Sequence, residues 1–127
     1  VIRGPLSARQ ERMRETVTEA YGRALSQVKP GAGPRGIAAD VDQFLEEAGF
    51  PMPHGLGHGI GLEAHEAPYL STRRAAAAPP LQPGMVVTIE PGGYDPEAGG
   101  IRLENDVLIT ATGHEVLTRA RLLEMEA

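Results

Sequence analysis

Residues 54–66 read His54-Gly-Leu-Gly-His-Gly-Ile-Gly-Leu-Glu-Ala-His-Glu66, and they hold three of the four histidines of the 127-residue chain. Glycine stands at 55, 57, 59 and 61. A dinucleotide loop of the form G-x-G-x-x-G would need glycine at 60 or 62, where Ile60 and Leu62 stand. A zinc helix would bring His54 and His58 together at i, i+4, but four interior glycines would each cost about 1 kcal/mol there. A strand suits the pattern. Its alternation puts His54, Leu56, His58, Ile60 and Leu62 on one side and the glycines on the other, leaving a bare face that a backbone or ligand can approach. A regular strand would hold His54 and His58 roughly 13 Å apart at about 3.3 Å per residue, so both could not ligate one ion. The expectation is one histidine for a metal and the others for substrate.

Upstream of this stretch the sequence predicts two helices. Ser7-Ala-Arg-Gln10 fits a capping box, and Met13, Val17, Ala20, Ala24 and Val28 follow at three- and four-residue spacing. Lys29-Pro30-Gly31 stops this helix. The second is expected from Gly36 to Ala48, with Ile37, Val41, Phe44 and Leu45 on one side and Gly49 at C′. From Phe50 onward glycine and proline become frequent and the apolar runs turn β-like. Met85–Ile89 predicts a strand, Ile101–Ile109 a second and His114–Leu117 a short final one, with residues 73–80 as a surface loop. The outline is α+β in one unit over 1–127: a helix pair in 1–50 and strands in 51–127.

Composition narrows the function. A net charge of −5 without a long basic run argues against nucleic acid and anionic membrane surfaces. No apolar run approaches a membrane span and no signal-peptide pattern opens the chain, which favours the cytoplasm. Without cysteine, any metal must be held by histidine and carboxylate, a donor set suited to divalent cations. Two glutamates stand out. Glu90 closes the apolar run Met85-Val-Val-Thr-Ile89, where a buried carboxylate must be paired, protonated or bound to a cation. Glu104 lies in Ile101-Arg-Leu-Glu-Asn-Asp106, on one face with Arg102 and Asp106. Glu46, Glu47, Glu115, Glu124 and Glu126 read as ordinary surface charge.

Three motifs, HGLGHGIGLEAHEAP, LQPGMVVTIEPGGY and GIRLENDVLITATGHEVLT, resemble in order and spacing the C-terminal half of the catalytic domain of proline-specific metallopeptidases. These are the Xaa-Pro aminopeptidases and prolidases of the pita-bread fold, peptidase family M24, which also includes methionine aminopeptidase and creatinase. With the helix pair, the resemblance covers essentially the whole chain. Arg102 ahead of Leu103-Glu104 favours the Xaa-Pro branch over methionine aminopeptidase.

The resemblance implies hydrolysis of Xaa-Pro bonds by a hydroxide activated between two divalent ions, Mn, Co or Zn. His58 would ligate one metal, Glu90 would join it and shuttle a proton, and Glu104 would bridge the two metals. His54 and His65 would bind substrate and stabilise the tetrahedral intermediate, and Arg102 would lie beside the carboxylates or help hold substrate. The family's ligand set also includes two aspartates upstream of a stretch resembling Val1-Ile-Arg-Gly4, and this sequence does not hold them. The chain opens on Val1 rather than methionine. The expectation is three ligands of five here, the two aspartates coming from an N-terminal half on the same or a separate chain, and inactivity without it. A homodimer is implied for the complete enzyme. A non-hydrolytic scaffold of the same shape and a metal-free, creatinase-like hydrolase are the alternatives.

Overall fold

A computed structural model describes residues 2–3, 5–74, 78–120 and 124–125. Helix α1 runs Ala8–Gln27. The Ser7 hydroxyl accepts from the Gln10 N–H, and the Gln10 side-chain oxygen accepts from the Ser7 N–H at 2.9 Å, so the capping box forms as expected. Its apolar stripe buries Met13, Val17, Ala20 and Ala24, with Val28 just beyond. Gly31, at φ +80°, turns the chain where the Lys-Pro-Gly stop was read. Helix α2 covers Pro34–Glu47, starting two residues before the expected Gly36. Proline explains the difference: its fixed φ suits the first helical turn and its missing N–H is not needed there. Gly49, at φ +82°, ends the helix as expected, with its N–H on the Glu46 carbonyl and the Phe50 N–H on the Leu45 carbonyl. The helices pack together and are pinned at the surface by Arg23 on Asp40 at 2.9 Å.

The described residues also form nine strands: β1 (Ile2–Arg3), β2 (Gly57–Ile60), β3 (Glu66–Leu70), β4 (Val86–Ile89), β5 (Gly92–Asp95), β6 (Gly99–Arg102), β7 (Asn105–Ile109), β8 (His114–Val116) and β9 (Glu124–Met125). The main sheet is antiparallel in the order β3-β2-β4-β7-β8. β5 and β6 form a hairpin beside α1, and β1 pairs with β9 in parallel. Leu56, Leu70, Val87, Ile89, Val107 and Ile109 join the helix stripes in one core. The expected α+β architecture is observed, and the strand over 85–89 and the short strand from His114 fall within one residue of their predicted bounds.

Two expectations change. The strand read through His54–Leu62 is only Gly57–Ile60. Leu56 is fully buried and Leu62 fully exposed, so strict alternation does not extend across the segment. Beyond Ile60 the chain closes into a loop because the Glu66 carboxylate accepts from the Glu63 N–H at 3.0 Å and the Gly61 N–H reaches the Glu63 carbonyl. The single strand read through Ile101–Ile109 divides into β6 and β7 in different sheets. At the break the Leu103 N–H donates to the Pro91 carbonyl at 3.2 Å, drawing the chain from the hairpin to the sheet. Strands β1, β3, β5 and β9 were not anticipated. In the loop read over 73–80, Arg73 and Arg74 are exposed, while Ala75–Ala77 lie outside the described residues, as do Val1 and Gly4. Among the described residues no helix is long and apolar enough to cross a membrane.

Candidate active site

The crossing of β2 and β4 builds the site. His58 projects from β2 and Glu90 from the residue after β4, each side chain only 12% exposed. Two backbone-level bonds hold the strands in register here. The Glu90 N–H donates to the Leu56 carbonyl at 2.8 Å, and the His58 N–H donates to the Thr88 hydroxyl at 3.0 Å. Gly57 makes the approach possible: a Cβ there would stand 1.9 Å from the Thr88 carbonyl oxygen.

His58 Nε2 faces Glu90 Oε1 at 3.3 Å, and His58 Nδ1 lies 3.0 Å from the Gly59 carbonyl. A carbonyl only accepts, so Nδ1 carries hydrogen and donates to it. The ring thereby aims Nε2 at the carboxylate. Two lone-pair atoms thus face each other, a pair that could receive a cation. On the solvent side Arg102 spans the two glutamates, with Nη1 3.7 Å from Glu90 Oε2 and Nη2 3.4 Å from Glu104 Oε2. These are ion-pair distances, longer than a good charge-assisted hydrogen bond. Arg102 and Glu104 are nearly half exposed, and Glu104 reaches the centre through the guanidinium.

The other two histidines differ in how they are held. His54 lies before β2, with Nδ1 2.8 Å from the Gly55 carbonyl and Nε2 2.8 Å from the Tyr94 hydroxyl. With Nδ1 donating, Nε2 accepts from Tyr94, and both nitrogens are engaged within the chain. The backbone carbonyl of His54 accepts from Arg73 at 2.8 Å. His65, in the loop after β2, lays its ring against His58 with centroids 4.2 Å apart. Among the described residues no hydrogen bond engages its ring nitrogens. The cleft has a volume of ≈ 430 Å³, and its walls include His54, His58, His65, Glu90 and Arg102. Tyr69 and Arg74 complete a rim that the sequence did not suggest, the Arg74 guanidinium lying 3.6 Å from the Tyr69 ring centre.

Five of the six expected site residues thus line one cleft, and Glu104 stands at its edge. Two residues with structural reach into the site escaped the sequence reading. Thr88 was marked only by being polar inside Val86-Val-Thr-Ile89, two residues before Glu90. Tyr94 was marked by its glycine neighbours: a Cβ on Gly92 or Gly100 would stand 2.7 or 2.5 Å from its side chain, so the ring occupies a slot that only glycines leave open.

The donors fit a divalent cation in kind: one imidazole with a fixed tautomer and carboxylates beside it. They are too few in number, since among the described residues no group of three His, Asp or Glu side chains is arranged to hold a metal.

Histidines and glutamates turned into one cleft are the donor types of a class, the metal-dependent hydrolases. The family within it is specific: the chain belongs to metallopeptidase family M24, whose sequence model matches residues 1–111. It is 39% identical over 121 residues to an Xaa-Pro dipeptidase from Pyrococcus furiosus, covering 94% of this chain and 34% of the relative. The solved prolidase from Pyrococcus furiosus matches with a TM-score of 0.85 at 39% identity, over 94% of this chain and 35% of that one. The X-Pro aminopeptidase from Thermotoga maritima matches with a TM-score of 0.84 at 35% identity, over 98% of this chain and 35% of that one. The chain therefore spans about a third of the length of these relatives, and the expected resemblance to the C-terminal half of a pita-bread catalytic domain is borne out.

Proposed function

We propose that these residues form one wall of a dinuclear metal site that hydrolyses Xaa-Pro peptide bonds. The observation that carries the proposal is His58 Nε2 facing Glu90 Oε1 at 3.3 Å while its other nitrogen is engaged by Gly59. His58, Glu90 and Glu104 would hold the cations, Mn, Co or Zn, with two aspartates contributed by an N-terminal half on the same or a separate chain. When bound, such ions polarise the scissile carbonyl and supply a water acidic enough to attack it.

The chain's own residues have separable tasks. The Gly59 carbonyl fixes the His58 tautomer, and the buried position of Glu90 suits a carboxylate that passes a proton from the attacking water to the leaving nitrogen. His65, with its nitrogens open to the cleft, stabilises the charge developing on the carbonyl oxygen. His54, tethered by Tyr94, shapes the substrate side, and a substrate group reaching its Nε2 competes with the tyrosine hydroxyl. Arg102 offsets the charge of Glu90 and Glu104. A proline after the cleaved bond offers no N–H, so selection rests on shape and on contacts to the ring or terminal carboxylate.

The test is hydrolysis of an Xaa-Pro dipeptide and an Xaa-Pro tripeptide with Mn²⁺, by the 127-residue chain alone and joined to the N-terminal half. Turnover is expected only for the joined protein and is lost with Glu104→Gln. Equal cleavage of Ala-Ala and Ala-Pro would refute the substrate class, and turnover by the chain alone would refute the division of ligands.

A further inference from the structure

Thr88 is 1% exposed on β4, between the two motifs that the proposed metal site joins. Its hydroxyl oxygen accepts from the His58 N–H at 3.0 Å and lies 3.2 Å from Glu90 Oε1. A hydroxyl has one hydrogen, and the His58 carbonyl, at 3.5 Å, is the weaker acceptor beside a carboxylate. The hydrogen therefore goes to Glu90. One buried side chain thus grips the backbone of one proposed ligand and the carboxylate of the other.

We propose that Thr88 is a positioning residue: its hydroxyl sets Glu90 Oε1 against His58 Nε2 and so tunes how tightly the pair holds a divalent cation. The inference rests on the metal-site reading above. Three features support it. Oε1, the oxygen that Thr88 holds, is the one facing His58 Nε2. Its partner oxygen Oε2 is turned to Arg102 at 3.7 Å, so the two carboxylate oxygens face different partners and Thr88 makes the hydrogen bond to Oε1. The hydroxyl also takes up the His58 N–H inside a sheet, where an unpartnered donor is costly, and Gly57 holds the strands close enough for it to reach. Hydrogen-bonded partners of this kind around metal ligands are worth about 10–100-fold in metal affinity.

Valine matches threonine in shape and lacks the hydroxyl, whereas serine keeps it. Mn²⁺ titration calorimetry on the protein joined to its N-terminal half should find Thr88→Val weakened by about 10–100-fold and Thr88→Ser close to the parent. Hydrogen exchange at the His58 amide should accelerate in the valine variant alone. If the parent binds Mn²⁺ and the valine variant binds it within twofold, the role of Thr88 is refuted while the metal site stands. A parent that binds no Mn²⁺ refutes both. A valine variant that no longer folds, beside a serine variant of parental affinity, would assign the hydroxyl to holding the sheet and overturn the positioning role.

Discussion

Replacing Gly57 with alanine tests whether the close contact of β2 and β4 builds the site. The added Cβ would stand 1.9 Å from the Thr88 carbonyl oxygen and 2.9 Å from its carbon. An ordinary carbon–oxygen contact is about 3.3 Å, so the strands must part by roughly an ångström or more. The atom struck is backbone in the centre of a sheet and cannot swing aside. Parting the strands stretches the 3.0 Å bond from the His58 N–H to Thr88 and the 2.8 Å bond from the Glu90 N–H to Leu56. Overpacking costs about 1–3 kcal/mol and each strained hydrogen bond about 1 kcal/mol, for a loss of about 3–5 kcal/mol. That is a large part of the 5–15 kcal/mol typical of a folded domain. Denaturant unfolding followed by circular dichroism reads the loss, and hydrogen exchange at the β2 and β4 amides localises it. Gly61→Ala is the comparison, because its Cβ meets the carboxylate end of Glu66, which can rotate away at the cost of its one hydrogen bond to the Glu63 N–H, about 1 kcal/mol. A Gly57→Ala loss below about 1 kcal/mol, or one no larger than that of Gly61→Ala, would refute the reasoning.

Elsewhere a glycine can be replaced to advantage. Gly22 lies in α1 with nothing within 4 Å of an added Cβ, so Gly22→Ala should stabilise by about 0.5–1 kcal/mol in the same unfolding assay, and a destabilisation would contradict the helix packing. Acid should weaken the fold through two carboxylates held below their ordinary range: Asp95 by the N–H of Ala98, by Arg9 and by the N–H of Glu97, and Asp40 by Arg23 and Gln27. In the unfolded chain an aspartate titrates near about 3.9, so below that pH the unfolded state binds more protons and stability falls as pH falls. Their contribution is complete above the unfolded value and lost as pH drops through the lowered folded ones. Asp95→Asn should flatten the acid side of the stability profile, and an unchanged slope would remove Asp95 from it.

The helices were legible because their signals are local: Ser7 and Gln10 cap each other, and Gly31 and Gly49 mark turns that need positive φ. Glu90 was legible for a related reason, since a carboxylate ending an apolar run is costly unless something holds it. What escaped depends on contacts between distant residues. The loop after Ile60 is closed by the Glu66 side chain, and the break at Leu103 by the carbonyl of Pro91. Thr88 reads as a modest polar residue until β2 brings the His58 N–H to it from 30 positions away. His54 reads as a free imidazole until Tyr94, 40 residues on, takes its Nε2. Alternation assigned faces correctly within Gly57–Ile60 and could not see where the strand would stop.

The central claim is that His58 and Glu90 share a divalent cation. Mn²⁺ calorimetry on the protein joined to its N-terminal half, parent beside His58→Ala, tests it most directly. The claim predicts stoichiometric binding in the parent and at least about a 100-fold loss in the variant, with the unfolding midpoint of the metal-free proteins little changed. No stoichiometric binding by the parent, or equal affinity in the two proteins, would contradict it.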